Sequence, residues 1–84
     1  MTKAVYSLFD RVVGSFGDPI TFVNDEDCYR RVAIAYKDNP FSIDLDLYYI
    51  GVFDLNSGVF DFVGDKPMFN KCVADIVKEY YSHE

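Results

Sequence analysis

Leu45-Asp46-Leu47-Tyr48-Tyr49-Ile50-Gly51-Val52-Phe53-Asp54-Leu55-Asn56-Ser57-Gly58-Val59-Phe60-Asp61-Phe62-Val63 is the densest apolar run of the chain. Both parities are apolar: Leu47, Tyr49 and Phe53 fall on one face, Tyr48, Ile50 and Val52 on the other. That pattern predicts a strand covered on both faces, at the centre of a sheet. Gly51 interrupts it, as at a bulge or a close approach of backbone. Asp54-Leu55-Asn56-Ser57-Gly58 reads as a hairpin loop with Gly58 at the left-handed position. The return strand, Val59 to Val63, alternates around the single charge of Asp61.

Upstream, a linker through Ser42 and Asp44 follows Asp38-Asn39-Pro40, which stops a helix because the residue before proline avoids helical angles. Asn24 is a good cap for that helix, and Asp25, Glu26 and Asp27 favour the positive end of its dipole. Cys28, Tyr29, Val32, Ala33, Ala35 and Tyr36 form its apolar arc; Arg30, Arg31 and Lys37 lie opposite. Before it come a short extended stretch, Ile20 to Val23, a turn segment, Gly14 to Pro19, and a first strand from about Lys3 to Val13, apolar on both faces.

Downstream, Gly64-Asp65-Lys66-Pro67 opens a second helix, capped by Asp65 or Lys66 with Pro67 in its first turn. Phe69, Cys72, Val73, Ile76, Val77 and Tyr80 supply the apolar arc, with Lys71, Asp75, Lys78 and Glu79 on the wet side. The chain shows no internal repeat, low-complexity tract or second-domain linker. The expectation is one α+β domain over residues 1–84, in the order β-α-β-β-α. Two helices pack a small, mostly antiparallel three-stranded sheet, and a short extra strand before the first helix is compatible with it.

At 84 residues the chain can build one core of modest stability. Its seven Tyr and eight Phe supply buried area compactly and argue against disorder. A net charge of −6 lowers the expectation of autonomous duplex binding, which usually shows as a basic surface. It suits a basic partner or a protein surface. Cys28 and Cys72 have neither metal nor CxxC spacing. The N-terminus lacks a signal-peptide pattern, and no run approaches the ~20 apolar residues of a membrane span. The thiols therefore read as reduced core residues.

Catalysis needs a nucleophile, acid or base beside an activating partner. His83 is the one histidine, next to last in the chain, and neither cysteine has an identifiable His or Asn partner. Asp44, Asp46, Asp54, Asp61 and Asp65 gather around the hairpin without an EF-hand pattern and read as solvated turn and edge residues. Tyr49-Ile50-Gly51 matches half of the GIY-YIG nuclease signature, but the upstream half is missing. No catalytic residue, metal ligand or cofactor is assigned, and a non-enzymatic binding role is expected.

Two candidate binding surfaces remain. On the first helix, Arg30, Arg31 and Lys37 surround Ile34, which falls outside the apolar arc. This is either a solvated face with one stray aliphatic or a contact patch for an acidic protein groove or a nucleic-acid backbone. The second surface is a surplus of aromatics: Tyr6, Phe9, Phe16, Tyr48, Phe60 and Phe62. They could all pack in the core, seal a homodimer, or stack single-stranded bases.

The opening Ala4-Val5-Tyr6-Ser7-Leu8-Phe9-Asp10, then Gly17-Asp18-Pro19-Ile20, resembles the start of a small nonstructural protein of gokushoviruses, single-stranded DNA phages of the microvirus group. Asp46-Leu47-Tyr48-Tyr49-Ile50-Gly51-Val52-Phe53-Asp54, followed by Asn56-Ser57-Gly58, is similar to that family's second landmark. The resemblance implies a role like that of the microvirus C protein: a non-enzymatic DNA-binding or accessory function in viral DNA replication and DNA packaging, in the host cytoplasm. Implied partners are single-stranded DNA, the phage replication complex or procapsid proteins. A homodimer is expected, and no membrane association. The other reading is a protein–protein adaptor or inhibitor of a host factor that binds no DNA. No binding-site residue carries over from the family.

Overall fold

The computed structural model describes residues 1–82, and these form six strands and two helices. In chain order they are β1 (Thr2–Asp10), β2 (Ser15–Phe16), β3 (Ile20–Phe22), α1 (Asp25–Tyr36), a 3₁₀ turn (Pro40–Asp44), β4 (Leu45–Asp54), β5 (Phe60–Phe62), β6 (Met68–Cys72) and α2 (Val73–Tyr81). All strand pairings are antiparallel. β1 and β4 run side by side at the centre, from Thr2 opposite Asp54 to Asp10 opposite Leu45. The outer edge of β1 is filled by β3 along its first half and by β2 at its end. β6 fills the first half of the outer edge of β4, and β5 the second.

The α+β class holds, but the three-stranded β-α-β-β-α order is wrong. One error lies in Met68–Cys72, read as the first turns of a helix. Its apolar spacing fits a helical arc, yet β4 is ten residues long and β5 only three. Without β6, the outer edge of β4 from Asp46 to Tyr49 would leave its backbone polar groups without ladder partners. Pairing satisfies them, so α2 starts only at Val73. The second error lies in Arg11–Val13, read as the end of the first strand. Asp10 accepts the backbone N–H groups of Val12 and Val13, and Gly14 takes φ 81°, so the chain turns back there as a hairpin.

The reading that no internal repeat exists is also corrected. Each half of the chain is a long strand, a hairpin strand, a third strand on that same outer edge, and a helix. The two hairpins share a sequence frame, Phe9-Asp10-x-x-x-Gly14-x-Phe16 and Phe53-Asp54-x-x-x-Gly58-x-Phe60. In both, the glycine N–H donates to the aspartate carbonyl, at 2.7 Å for Gly14 and 2.8 Å for Gly58. Both glycines have positive φ, 81° and 76°. Gly-Asp-Pro at 17–19 and Gly-Asp-Lys-Pro at 64–67 then precede β3 and β6. An approximate twofold axis, normal to the sheet through the β1–β4 ladder, relates the halves.

Several expectations hold. The Asn24 side chain accepts from the Asp27 N–H at 2.8 Å, and α1 ends two residues before Asp38, whose φ is 60°. The central placement of β4 is as read, but the expected cover on both faces of β1 and β4 is not found, since both helices lie on one side of the sheet. Gly51 marks both features foreseen for it. The pairing skips Ile50 between Gly51 and Tyr49, and a β-carbon on Gly51 would lie 2.1 Å from the Asp61 carbonyl oxygen.

Both helices pack on one face of the sheet. There Tyr6, Phe22, Leu45 and Leu47 meet Cys28, Val32 and Ala33 of α1 and Val73 and Ile76 of α2. Cys28 is buried as expected, whereas Cys72 ends β6, half-buried, with its sulfur 3.8 Å from the carbonyls of Ser42 and Ile43. Both thiols are free.

Candidate functional site

Successive strand residues point to opposite faces, and cross-strand partners share one. Since Tyr6, Leu8, Leu47 and Tyr49 pack toward the helices, Val5, Ser7 and Phe9 of β1 and Asp46 and Tyr48 of β4 point the other way. Register adds Phe16, Phe53, Phe60, Phe62 and Phe69 to that second face. The placement of Phe53 corrects the sequence reading, which set it beside Leu47 and Tyr49: the skipped Ile50 switches the alternation of β4. The Cα envelope measures 38 × 31 × 16 Å. Stacked sheets sit about 10 Å apart, so a thin dimension of 16 Å leaves no room for a third layer beyond the helices and the sheet. Among the described residues, no helix covers the second face.

Its aromatic rings form a connected run. Phe9 and Phe16 have centroids 4.8 Å apart, Phe16 and Tyr48 5.1 Å, and Tyr48 and Phe69 5.8 Å, the last two pairs edge-on. Phe60 and Phe62 make a separate pair at 4.7 Å. Phe16, Phe69 and Phe62 remain 45%, 55% and 74% exposed. Val5 and Ser7 are buried between these side chains, and Ser7 donates to the Gly17 carbonyl at 2.8 Å. Among the strand positions of the face, the charged side chains are Lys3 and, at one end, Asp46, which pairs with Arg11 at 3.4 Å. The Arg11 guanidinium also donates to the Ile43 carbonyl.

Of the aromatics singled out in sequence, Phe9, Phe16, Tyr48, Phe60 and Phe62 share this face. Tyr6 does not: it is buried in the helix-side core, where its hydroxyl donates to the Asp25 carboxylate. Burial, reinforced by that carboxylate, pushes the Tyr6 phenol well above its ordinary range. Phe69 was missed, because Met68–Cys72 looked helical. The available signal was the mismatch between a ten-residue central strand and its short return strand.

The α1 patch lies on the opposite layer. Ile34 is 58% exposed, as its position off the apolar arc implied. The cations around it are engaged. Arg30 and Arg31 both reach the same oxygen of Asp27, at 2.9 and 3.0 Å, and the other Asp27 oxygen accepts the Val23 N–H at 3.2 Å. These bonds, Arg31's foremost, hold the Asp27 carboxyl below the usual carboxylate range. Lys37 sits 4.5 Å from the centroid of the Tyr81 ring. Lys71, also engaged, lies 2.6 Å from Glu79. Arg30, Arg31, Ile34 and Lys37 thus form one surface, and Tyr48, Phe60 and Phe62 belong to another.

The carboxylates read around the hairpin are dispersed, and among the described residues no three His, Cys, Asp or Glu side chains converge on a metal-sized site. Burial pushes the Cys28 thiol up to about 12, so it stays protonated at neutral pH. His83 lies outside the described residues. No described helix is long and apolar enough to cross a membrane.

Residues 3–79 match the family model described as Phage ORF5 protein. No curated protein and no solved structure matches the chain.

Proposed function

This chain belongs to the Phage ORF5 protein family, and on that premise we propose that it is a non-enzymatic phage accessory protein. It acts in viral single-stranded DNA synthesis and packaging, in the host cytoplasm, through protein contacts with the replication complex or the procapsid. The resemblance to the gokushovirus nonstructural proteins, carried by Asp46–Asp54 and the Asn56-Ser57-Gly58 turn, supports the pathway.

The observation that carries the mode of action is the state of the cations. Arg11, Arg30, Arg31 and Lys71 are each held by a carboxylate of the same chain. Phosphate neutralisation needs free Lys and Arg, and a chain of net charge −6 that ties up half of its eight offers few. Protein contact asks for less: an exposed aliphatic with a charged rim, which Ile34 and its neighbours supply.

The test pairs a low-salt titration against fluorescent single-stranded and duplex oligonucleotides with affinity capture from phage-infected cells. The expected result is no DNA shift, together with retention of replication or procapsid proteins by the wild type and their loss from Ile34→Asp/Arg30→Ala. Tight DNA binding that weakens steeply with salt would overturn the protein-contact mode. Capture unchanged by the double substitution would remove the α1 surface from it.

A further inference from the structure

We infer that the bare aromatic face of the sheet is a self-association surface, and that its occupant is the same face of a second copy of this chain. The inference rests on the sheet alone and not on the phage role proposed above.

Three observations select that occupant. The first is area. Stable association buries about 800 Å² on each partner, and a molecule whose two longer dimensions are 38 and 31 Å has room for a patch of that size on its sheet. Phe16, Phe62 and Phe69 stand on it 45%, 74% and 55% exposed, with Phe9, Tyr48, Phe53 and Phe60 half-buried among them. A soluble chain seldom leaves so continuous an apolar surface without a partner.

The second is charge. The chain carries −6, yet the strands of this face present Lys3 and an Asp46 already matched by Arg11. Asp25, Glu26, Asp27, Asp75 and Glu79 belong to the helices on the opposite face. Two copies meeting sheet to sheet keep those helical carboxylates on the two outermost layers, where their repulsion is weakest. Single-stranded nucleic acid also stacks on aromatic sheets, but it needs a positive groove along its backbone, which Lys3 alone does not make.

The third is shape. Antiparallel sheets pack face to face about 10 Å apart with interdigitating side chains. The Phe9–Phe16–Tyr48–Phe69 run and the Phe60–Phe62 pair are discrete ridges on one surface. A twofold axis in the plane of contact sets the same patch of each copy against the other, the isologous arrangement of most dimers.

Sedimentation or native mass measurement at micromolar concentration tests this. The wild type is expected at twice 9.7 kDa, dissociating on dilution. Phe62→Lys/Phe69→Lys, at two well-exposed positions, is expected at 9.7 kDa with an unchanged far-ultraviolet dichroism spectrum. Phe16→Lys alone should weaken association at least tenfold, which keeps the test open if the double variant misfolds. Ile34→Asp, on the helix layer, should leave the mass unchanged. A monomeric wild type, a dimer that survives Phe62→Lys/Phe69→Lys, or one broken by Ile34→Asp would overturn the inference. So would a monomer whose aromatic face takes up a single-stranded oligonucleotide, a result that would assign the face to bases.

Discussion

The hydroxyl of Tyr6, on a central strand, donates to the carboxylate of Asp25 in the first turn of α1, nineteen residues away in sequence. This bond ties the middle of the sheet to the start of the helix that covers it. Removing the hydroxyl with Tyr6→Phe should cost about 1 kcal/mol, read as a fall in chemical-denaturation midpoint. The bond also predicts an alkaline limit. The folded Tyr6 phenol titrates above the ordinary tyrosine value of about 10. Its contribution is therefore complete below pH ~10 and is lost as pH rises beyond that. Tyr6→Phe should lose stability less steeply above pH ~10 than the wild type does.

Acid acts on the other end of the same turn. The Asp27 carboxylate holds Arg30, Arg31 and the Val23 N–H, and its pKa is lowered in the fold. Its contribution is present above the unfolded carboxylate value of about 4 and disappears as pH falls below it. Helical dichroism should fall over that window, and Asp27→Asn should flatten this part of the curve. Asn24→Ala, which removes the cap, should cost about 1 kcal/mol at neutral pH.

Gly51→Ala should be among the costlier single-methyl additions in the chain. The new carbon would lie 2.1 Å from the Asp61 carbonyl oxygen and 3.0 Å from its carbon, both backbone atoms. β5 must move for it to fit, at about 1–3 kcal/mol. For a domain of this size that lowers Tm by on the order of 10 °C in a thermal melt.

Gly14→Ala and Gly58→Ala should behave as a matched pair. Both residues have positive φ, 81° and 76°, with no atom within 4 Å of the added carbon, so backbone strain is the cost in each. Each should lose about 1 kcal/mol, and the double variant about the sum, since the turns share no contact.

Legibility in the sequence followed the range of the cause. Asn24, the break at Asp38–Pro40 and the Gly58 turn are decided by neighbours within a few residues, and each was readable. Gly51 was readable because a glycine inside an apolar strand gives up side-chain packing, which a bulge or a close backbone neighbour makes necessary. Met68–Cys72 was not, since its conformation answers the unpaired edge of a strand over twenty residues earlier. The halves' likeness was hidden as well. The shared Phe-Asp-x-x-x-Gly-x-Phe frame is short, the spacing to the next Gly-Asp differs, and the two helices share little sequence. For the site, the exposed Ile34 and the surplus rings were visible. That Asp27 would occupy both arginines, and that the rings would gather on one uncovered face without Tyr6, depended on register.

A strand–strand–strand–helix unit fills the outer edge of its own long strand and leaves the inner edge open. Two such units close each other, as β1 and β4 do over nine paired positions. The chain has the form of a symmetric pair made continuous, with Lys37–Asp44 as the seam. The skipped Ile50, which has no counterpart in β1, is where the two halves cease to be interchangeable.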